Sequence, residues 1–262
     1  MTVEPPAKIS LRNVIKKFGG NPVLDGLSLD LQAGRNLALI GSAASGKTVL
    51  LKCLVGLYPI DGGKIEIDGT EISSLDAAQR EKMLDRFGVL FQRSALFDSL
   101  TVWENIAFKR ITVGKARRRD AHEAAILRLR QVGMAPETAD LFPASLSGGM
   151  QKRVALARAI MEEPDILLLD DPTAGLDPIL TRVINELIAR LAQETGATVL
   201  SITSDMDAMR RDYSDMAMLH DGRIIWQGAT PDIDHAGNPY LDQLVNGRPD
   251  GPIKMRLRKR AA

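Results

Sequence analysis

Apolar and polar residues alternate along the first part of the chain. Residues 8–14 and 27–31 repeat with a period of two, which is typical of strands that have one buried face. The Gly-Gly-Asn-Pro stretch at residues 19–22 predicts a turn between them. Residues 62–69, which begin and end with glycines, predict a further strand. The beginning of the chain is therefore expected to be rich in β structure.

Later segments combine short apolar strands with helices. Apolar runs predict buried strands at residues 36–40 and 166–169 and another short apolar strand at 87–91, with a further strand at 198–203. Helical spacing predicts helices after residue 47, at 183–191 and through most of 93–160. Residues 216–219 and 223–226 flank an Asp-Gly pair and predict a hairpin. Buried strands separated by helices indicate an α/β core, into which the helical block at 93–160 is inserted.

Composition excludes several classes of protein and of site. The chain has 262 residues, 45% of them hydrophobic, which suits one large globular domain or two small ones. Its net charge of +1 provides no overall basic field, so we expect no nucleic-acid partner. One cysteine and three histidines exclude an internal disulfide and a Cys/His metal cluster. Neither a secretory signal nor an apolar run of about 20 residues is visible, so a cytoplasmic location is expected.

A glycine-rich segment follows the apolar strand at 36–40 and fits the pattern G-x-x-x-x-G-K-[ST]. Its residues are Gly41, Ser42, Ala43, Ala44, Ser45, Gly46, Lys47 and Thr48. In such a P-loop, backbone N–H groups and the N-terminus of the next helix bind phosphates. Lys47 would contact the β- and γ-phosphates, and the Thr48 hydroxyl would ligate Mg²⁺. A glycine-rich turn without a ligand is the alternative, and the strand–loop–helix context argues against it. We expect the backbone at Ala44 to adopt a conformation that alanine tolerates.

Two carboxylates follow the apolar strand at 166–169. Asp170 is suited to holding Mg²⁺ through its water shell, because Mg²⁺ takes few ligands from the protein itself. Asp171 precedes a proline and would orient or deprotonate an attacking water. The alternatives are that Asp170 is a surface residue capping the strand and that Asp171 merely terminates it.

A third motif distinguishes between families that share these features. In Leu-Ser-Gly-Gly-Met-Gln-Lys-Arg at 146–153, Ser147 is a helix N-cap and Gly148 and Gly149 open the helix. This helix start is a second potential anion site. Together with Gln92 after the strand at 87–91 and Ala-Gly-Leu-Asp at 174–177, it closely resembles the ATP-binding cassette (ABC) family. The resemblance extends from residue 8 to about residue 232.

The resemblance implies an ATPase with ATP and Mg²⁺ as cofactors. The implied fold is an α/β P-loop NTPase (RecA-like) core with an antiparallel β subdomain and an inserted helical subdomain at about 93–160. The nucleotide-binding domain would span 8–238, with a C-terminal extension at 239–262 that ends in a basic tail. That tail is either a solvated end or a contact with the membrane surface or the partner cassette.

Roles at the site are also implied by the family. Two chains would pair head to tail, so that Ser147, Gly148 and Gly149 of one close over the ATP held by the other. Gln92 would ligate Mg²⁺ and sense the nucleotide. Phe18 would stack on adenine, with an ordinary core aromatic as the alternative.

Flanking residues resemble one branch of the family. Residues 89–92 and 95–105, together with 238–243, 246–248 and 251–253, are similar to the ATPase of Mla-type (MCE) phospholipid transporters. This resemblance implies an integral membrane permease, an MCE-domain lipid-carrying protein, and a position on the cytoplasmic face of the inner membrane.

Two positions depart from the family pattern. Asp171 stands where the family usually has glutamate, so its carboxylate falls short by one C–C bond, ~1.5 Å. Ser204 stands where the family usually has a histidine that contacts the γ-phosphate, and a serine carries no charge. Both changes affect hydrolysis rather than binding. Two functions therefore stay open: an ATPase that powers a lipid transporter, and a nucleotide-gated regulatory module with slow or no hydrolysis. A soluble cassette acting in repair or translation is disfavoured, since neither a second cassette nor a long coiled coil is present.

Overall fold

The computed structural model describes residues 7–92, 94–114 and 116–254. The strands are β1 (Ile9–Phe18), β2 (Asn21–Leu31), β3 (Asn36–Ile40), β4 (Gly62–Ile67), β5 (Thr70–Glu71), β6 (Phe87–Leu90), β7 (Ile166–Asp170), β8 (Thr198–Ile202), β9 (Asp215–His220) and β10 (Arg223–Ala229). The α-helices are α1 (Lys47–Leu54), α2 (Ala77–Leu84), α3 (Val102–Ile106), α4 (Phe108–Thr112), α5 (Arg118–Gln131), α6 (Gly148–Ala159), α7 (Pro178–Thr195), α8 (Met206–Asp212) and α9 (Pro239–Val245). In these ranges no helix is long and apolar enough to cross a membrane.

An antiparallel sheet of four strands, in the order β2-β1-β4-β5, forms the expected β subdomain. The predicted turn at 19–22 is too long: only Gly19 and Gly20 lie outside the strands, while Asn21 pairs with Phe18. Pro22 is tolerated inside β2 because β2 is an edge strand, whose outer side needs no N–H donor. Both strands are consequently longer than the alternating patterns at 8–14 and 27–31.

A second sheet forms the core, in the order β10-β9-β3-β8-β7-β6. Strands β9, β3, β8, β7 and β6 run parallel, and β10 closes the edge as an antiparallel hairpin with β9. Every residue of β7 is buried, which confirms the prediction drawn from its apolar sequence, and β8, predicted only as a strand, is buried throughout as well. The register pairs Asp170 with Ile202, so the carboxyl ends of β7 and β8 lie side by side.

The predicted helical block is confirmed in the described residues between 94 and 160, where α3 to α6 pack around one apolar cluster. Three helices were not predicted. Helix α2 buries none of its side chains and is held by an Asp76 capping box, so it shows no apolar stripe. Helices α8 and α9 have seven residues each, too few for a helical period to stand out.

The predicted C-terminal extension packs against the core sheet over its first part. Leu241 and Val245 of α9 share an apolar cluster with Ala38 and Ile40 of β3. Most of the basic tail, residues 255–262, lies outside the described residues. The boundary after residue 238 stays a prediction.

Candidate active site

The glycine-rich loop connects β3 to α1, and close packing explains two of its glycines. A Cβ atom on Gly41 would lie 2.2 Å from the backbone oxygen of Leu219. At Gly46, where φ is +107°, it would lie 2.9 Å from the backbone oxygen of Val23. Neither position has room for a side chain, so the loop depends on both glycines for its shape.

The backbone conformation expected at Ala44 is wrong. Its φ is +60°, in the left-handed region that L-residues other than Gly, Asn and Asp rarely adopt, so the backbone is not in an alanine-compatible conformation. The loop must turn tightly between β3 and α1, and this turn imposes the strain. A left-handed alanine costs about 1–2 kcal/mol.

Lys47 folds its side chain back over the loop. The Nζ atom donates hydrogen bonds to the backbone oxygens of Gly41 and Ser42, both at 2.8 Å. Burial lowers the pKa of Lys47, and the charges of Asp170 and Asp171 oppose that shift. The ammonium is bound to neutral carbonyls at the mouth of a concave loop, where a phosphate would supply the missing negative charge.

Thr48 and Asp170 meet although they are 122 positions apart. The Thr48 hydroxyl donates to Asp170 Oδ2 at 3.0 Å, and Asp170 is only 4% exposed. Burial raises the pKa of Asp170, and the hydrogen bond from Thr48 and the charge of Lys47 only partly offset that shift. A hydroxyl and a buried carboxylate oxygen beside a phosphate-binding loop are ligands that Mg²⁺ prefers, so the residues fit the implied Mg–ATP.

Asp171 and Ser204 form, with Asp170, what we call the carboxylate edge of the site, at the ends of β7 and β8. The Asp171 N–H donates to the backbone oxygen of Ile202 at 3.0 Å. The Ser204 hydroxyl lies 3.5 Å from Asp171 Oδ2, at the limit for a hydrogen bond. Burial raises the pKa of Asp171, and the charge of Lys152 partly offsets the shift. The strand register thus brings together the two residues that depart from the family pattern.

Asp171 is a left-handed residue, with a φ of +50°. Aspartate tolerates this region better than most residues because its side chain bonds locally. The chain therefore turns sharply after Asp170, the last residue of β7. Asp171 does terminate the strand, and its carboxylate is also half-buried beside Asp170 and Ser204.

Gln92 lies two residues after the end of β6, with an exposed side chain, at the entrance to the helical block. Its backbone oxygen accepts a hydrogen bond from Lys152 Nζ. No role was predicted for Lys152, which is only 6% exposed and whose Nζ atom also lies 3.4 Å from the backbone oxygen of Asp171. The sequence feature that could have pointed to Lys152 is its position on a helix whose other buried residues are mostly apolar.

The glycine motif opens α6 as predicted. Ser147 is the N-cap, and its hydroxyl accepts from the Met150 N–H at 3.3 Å. Ser147 and Gly148 are exposed, and the space next to Gly148 is open. In the described part of the chain, no hydrogen bond connects Ser147, Gly148 or Gly149 to the loop at 41–48. The structure of one chain does not unite the two anion sites.

Phe18 ends β1 and is 42% exposed, so it is not an ordinary core aromatic. The Tyr58 ring packs against it in a T-shaped arrangement at a centroid distance of 5.2 Å, and Lys16 Nζ lies 5.4 Å from the centre of the Phe18 ring. An exposed, braced aromatic ring is compatible with stacking on a base.

Comparisons with known proteins agree with this geometry. A model of the family described as "ABC transporter" matches residues 24–174, more than half of the chain. "Probable ribonucleotide transport ATP-binding protein mkl" of Mycobacterium leprae (strain TN) is 34% identical over 94% of this chain and 71% of the relative. "Protein TRIGALACTOSYLDIACYLGLYCEROL 3, chloroplastic" of Arabidopsis thaliana is 35% identical over 94% of this chain and 75% of the relative.

A solved structure is similar over most of the fold. It is the ATP-binding cassette MJ0796 in a dimeric, post-hydrolysis state bound to ADP and Pi. The TM-score is 0.77 at 29% identity, over 85% of this chain and 98% of the other. This chain therefore belongs to the ABC transporter family, as an ATP-binding subunit that uses ATP and Mg²⁺ and hydrolyses ATP to power transport.

Proposed function

We propose that this chain powers the movement of phospholipid, or another hydrophobic lipid, across the cell envelope. It would act as a head-to-tail homodimer at the cytoplasmic face of the inner membrane, bound to a permease and serving an MCE-domain lipid carrier. The flanking sequences described above support this cargo, as does the Arabidopsis relative, whose name contains trigalactosyldiacylglycerol. The mycobacterial relative is named for ribonucleotide transport, which makes a ribonucleotide the competing cargo.

The catalytic proposal rests on one observation, the contact of Thr48 with Asp170 beside Lys47. Lys47 and the backbone N–H groups of residues 41–48 hold the phosphates. Thr48, Asp170 and Gln92 hold Mg²⁺, which when bound neutralises charge on the β- and γ-phosphates. Phe18 stacks on the adenine ring.

Asp171 is the proposed general base. Its raised pKa makes the carboxylate a stronger base than an exposed aspartate, which favours removal of a proton from the attacking water. Ser204 orients the carboxylate by donating to Oδ2. Because the carboxylate is one methylene short, we expect slow but real hydrolysis.

The dimer completes each site with the start of α6 from the other chain. Ser147 and Gly148 are exposed, and in the described ranges neither they nor Gly149 form a hydrogen bond to their own loop, as this pairing needs. Since both sites of a homodimer carry Asp171 and Ser204, neither compensates for the other.

Ser147→Arg should leave ATP binding to the monomer intact and abolish ATP-dependent dimerisation in solution scattering. A dimer that persists in this variant would contradict head-to-tail pairing.

A nucleotide-gated regulatory module, in which hydrolysis is slow, is the second candidate. The long contact between Ser204 and Asp171, 3.5 Å, and the short carboxylate favour it. The rates of phosphate release by the wild type and by Asp171→Asn distinguish this module from the hydrolase.

Reconstitution tests the cargo. The transporter would be purified through a tag on this chain and placed in vesicles with labelled phospholipid or labelled ribonucleotide. ATP-dependent transfer of phospholipid is expected, and Lys47→Ala should abolish it. Transfer of the ribonucleotide alone would contradict the lipid proposal and leave the assignment to the ABC family intact.

A further inference from the structure

Helix α6 is tied to the loop that follows Gln92 by two cationic side chains. Arg158 donates through Nη2 to the backbone oxygen of Ser94 at 2.7 Å and through Nη1 to that of Ala95 at 2.8 Å. Lys152 donates to the backbone oxygen of Gln92 itself. Three carbonyls of one loop are therefore held by one helix.

The backbone held in this way is strained. Ser94 and Ala95 have φ values of +59° and +49°, so two consecutive residues other than glycine are left-handed. Such residues persist only when the surrounding structure holds them. Within the loop, a turn bond from the Ser94 N–H to the Phe91 oxygen supports the first residue. Ala95 is exposed, so packing of its methyl group does not explain its conformation.

The two cations direct their charge onto these carbonyls. Burial lowers the pKa of Arg158, and no carboxylate pairs with it among the described residues. Burial likewise lowers the pKa of Lys152, against the opposing charges of Asp171 and Asp170. A half-buried guanidinium that donates to two oxygens fixes them more firmly than a neutral donor does.

The same helix also reaches the other parts of the site. Its first turn carries Gly148 and Gly149, which the proposed dimer presents to the partner's ATP. Lys152 lies 3.4 Å from the backbone oxygen of Asp171. A rigid helix of 12 residues thus touches the dimer face, the Gln92 loop and the carboxylate edge.

We propose that Arg158 and Lys152 are positioning residues: Arg158 holds Ser94 and Ala95 in their left-handed conformation, Lys152 holds the backbone oxygen of Gln92, and together they set the Gln92 side chain for Mg–ATP. Hydrolysis then depends on where α6 lies, because a shift of the helix moves Gln92 with it. The inference rests on the role of Gln92 stated under Proposed function.

Arg158→Met and Lys152→Met test the inference in the full chain, with Arg153→Met as the matched control. Arg153 is on the same helix and also donates to a carbonyl, that of Gly133 at 3.1 Å, away from the Gln92 loop. We expect the kcat of ATP hydrolysis to fall about tenfold or more in the two test variants, because the loop loses its position. The KM for ATP should stay within about twofold, since the P-loop is untouched. Half-saturation by Mg²⁺ should move to higher concentration, and Arg153→Met should match the wild type.

A second substitution, to glycine, should restore part of the activity lost in Arg158→Met, which would not be expected if Arg158 only stabilised the fold. Ala95→Gly removes the steric cost of the left-handed conformation, so Arg158→Met with Ala95→Gly should recover part of the lost kcat. Should Arg158→Met fail to fold, Arg158→Lys keeps the charge but has no fork to hold two carbonyls, and an intermediate kcat is expected.

Two results would overturn the inference. In the first, Arg158→Met folds and its kcat and Mg²⁺ dependence equal those of the wild type, while Gln92→Ala lowers kcat. That result would contradict the inference but leave the role of Gln92 intact. The second is a Gln92→Ala variant with unchanged kcat and Mg²⁺ dependence, which would remove the role of Gln92 and the inference together.

Discussion

The phosphate loop and the carboxylate edge are neighbours in the site, but different kinds of contact hold them. In the loop, Lys47 bonds to the backbone oxygens of Gly41 and Ser42, six and five positions away. At the carboxylate edge, Asp170 meets Thr48 across 122 positions and Asp171 meets Ser204 across 33. The loop is built from its own sequence, whereas the edge exists only once β7 and β8 are paired.

The two regions also carry different costs. The loop holds Ala44 in a left-handed conformation, which is a backbone cost. The carboxylate edge holds two carboxylates, Asp170 buried and Asp171 half-buried, whose pKa values are raised by burial, which is an electrostatic cost. Sites commonly retain strain of this kind because function requires it.

The largest expected effect falls on the carboxylate edge. Asp171→Asn removes the proposed base while keeping the shape of the side chain, so phosphate release should fall by about 10²–10⁴-fold. Steady-state phosphate release by purified protein measures this. Ala174→Ser, three residues further along, leaves the carboxylate in place and serves as the control. A wild type no faster than Asp171→Asn would reject the general-base role and favour the regulatory module.

Asp171→Glu sharpens the same test. If the carboxylate is too short to reach the water, the added methylene should raise the rate. A lower rate would mean that the turn at Asp171 has adapted to the shorter side chain, with the base already in place.

The next effect falls on the phosphate loop and concerns affinity rather than turnover. Lys47→Ala removes a charged hydrogen-bond donor worth about 1.5–3 kcal/mol, so ATP affinity should fall about 10–150-fold. Isothermal titration measures it, with exposed Lys17→Ala as the control. Unchanged affinity in Lys47→Ala would contradict the assignment of the loop to phosphate binding.

Ala44→Gly should stabilise the free protein. Glycine adopts the left-handed conformation without a steric cost, and the gain of about 1 kcal/mol corresponds to an increase in Tm of about 2–4 °C for a chain of this size. Thermal unfolding without nucleotide measures this effect. Ala43→Gly is the control, because Ala43 is not among the residues with positive φ and should lose stability instead. A lower Tm for Ala44→Gly would mean that the left-handed conformation is not strained.

The smallest effect is the pH dependence at the carboxylate edge. Burial raises the pKa of Asp171 above its ordinary 3.8, so the folded state keeps this proton to a higher pH than the unfolded chain does. The resulting loss in the free energy of unfolding is absent below pH 3.8 and complete once the pH exceeds the raised pKa of the folded state. Asparagine has no charge to desolvate, so Asp171→Asn should raise Tm at about pH 7, and the gain should shrink as the pH approaches about 4. A wild type with the higher Tm at about pH 7, without Mg²⁺ and nucleotide, would contradict this sign.

The hydrophobic pattern of the sequence predicted secondary structure correctly where a segment's own residues determine that structure. The apolar runs predicted β3 and β7 because strands buried on both faces need no polar residues. Pattern failed for α2, whose stability comes from its cap and not from an apolar stripe. It also misjudged Ala44, since residue type does not reveal the φ that a tight loop imposes.

The sequence by itself determined the ABC family, the phosphate loop and the two carboxylates after β7, because each is a contiguous run of residues with its own chemistry. Only the tertiary structure decided that Ser204 lies against Asp171 and that Lys152 and Arg158 hold the Gln92 loop. These contacts depend on strand order and on the direction of α6. Contacts between distant segments leave no periodicity or spacing in the chain, so they become visible only when the sheets and the helical block are assembled.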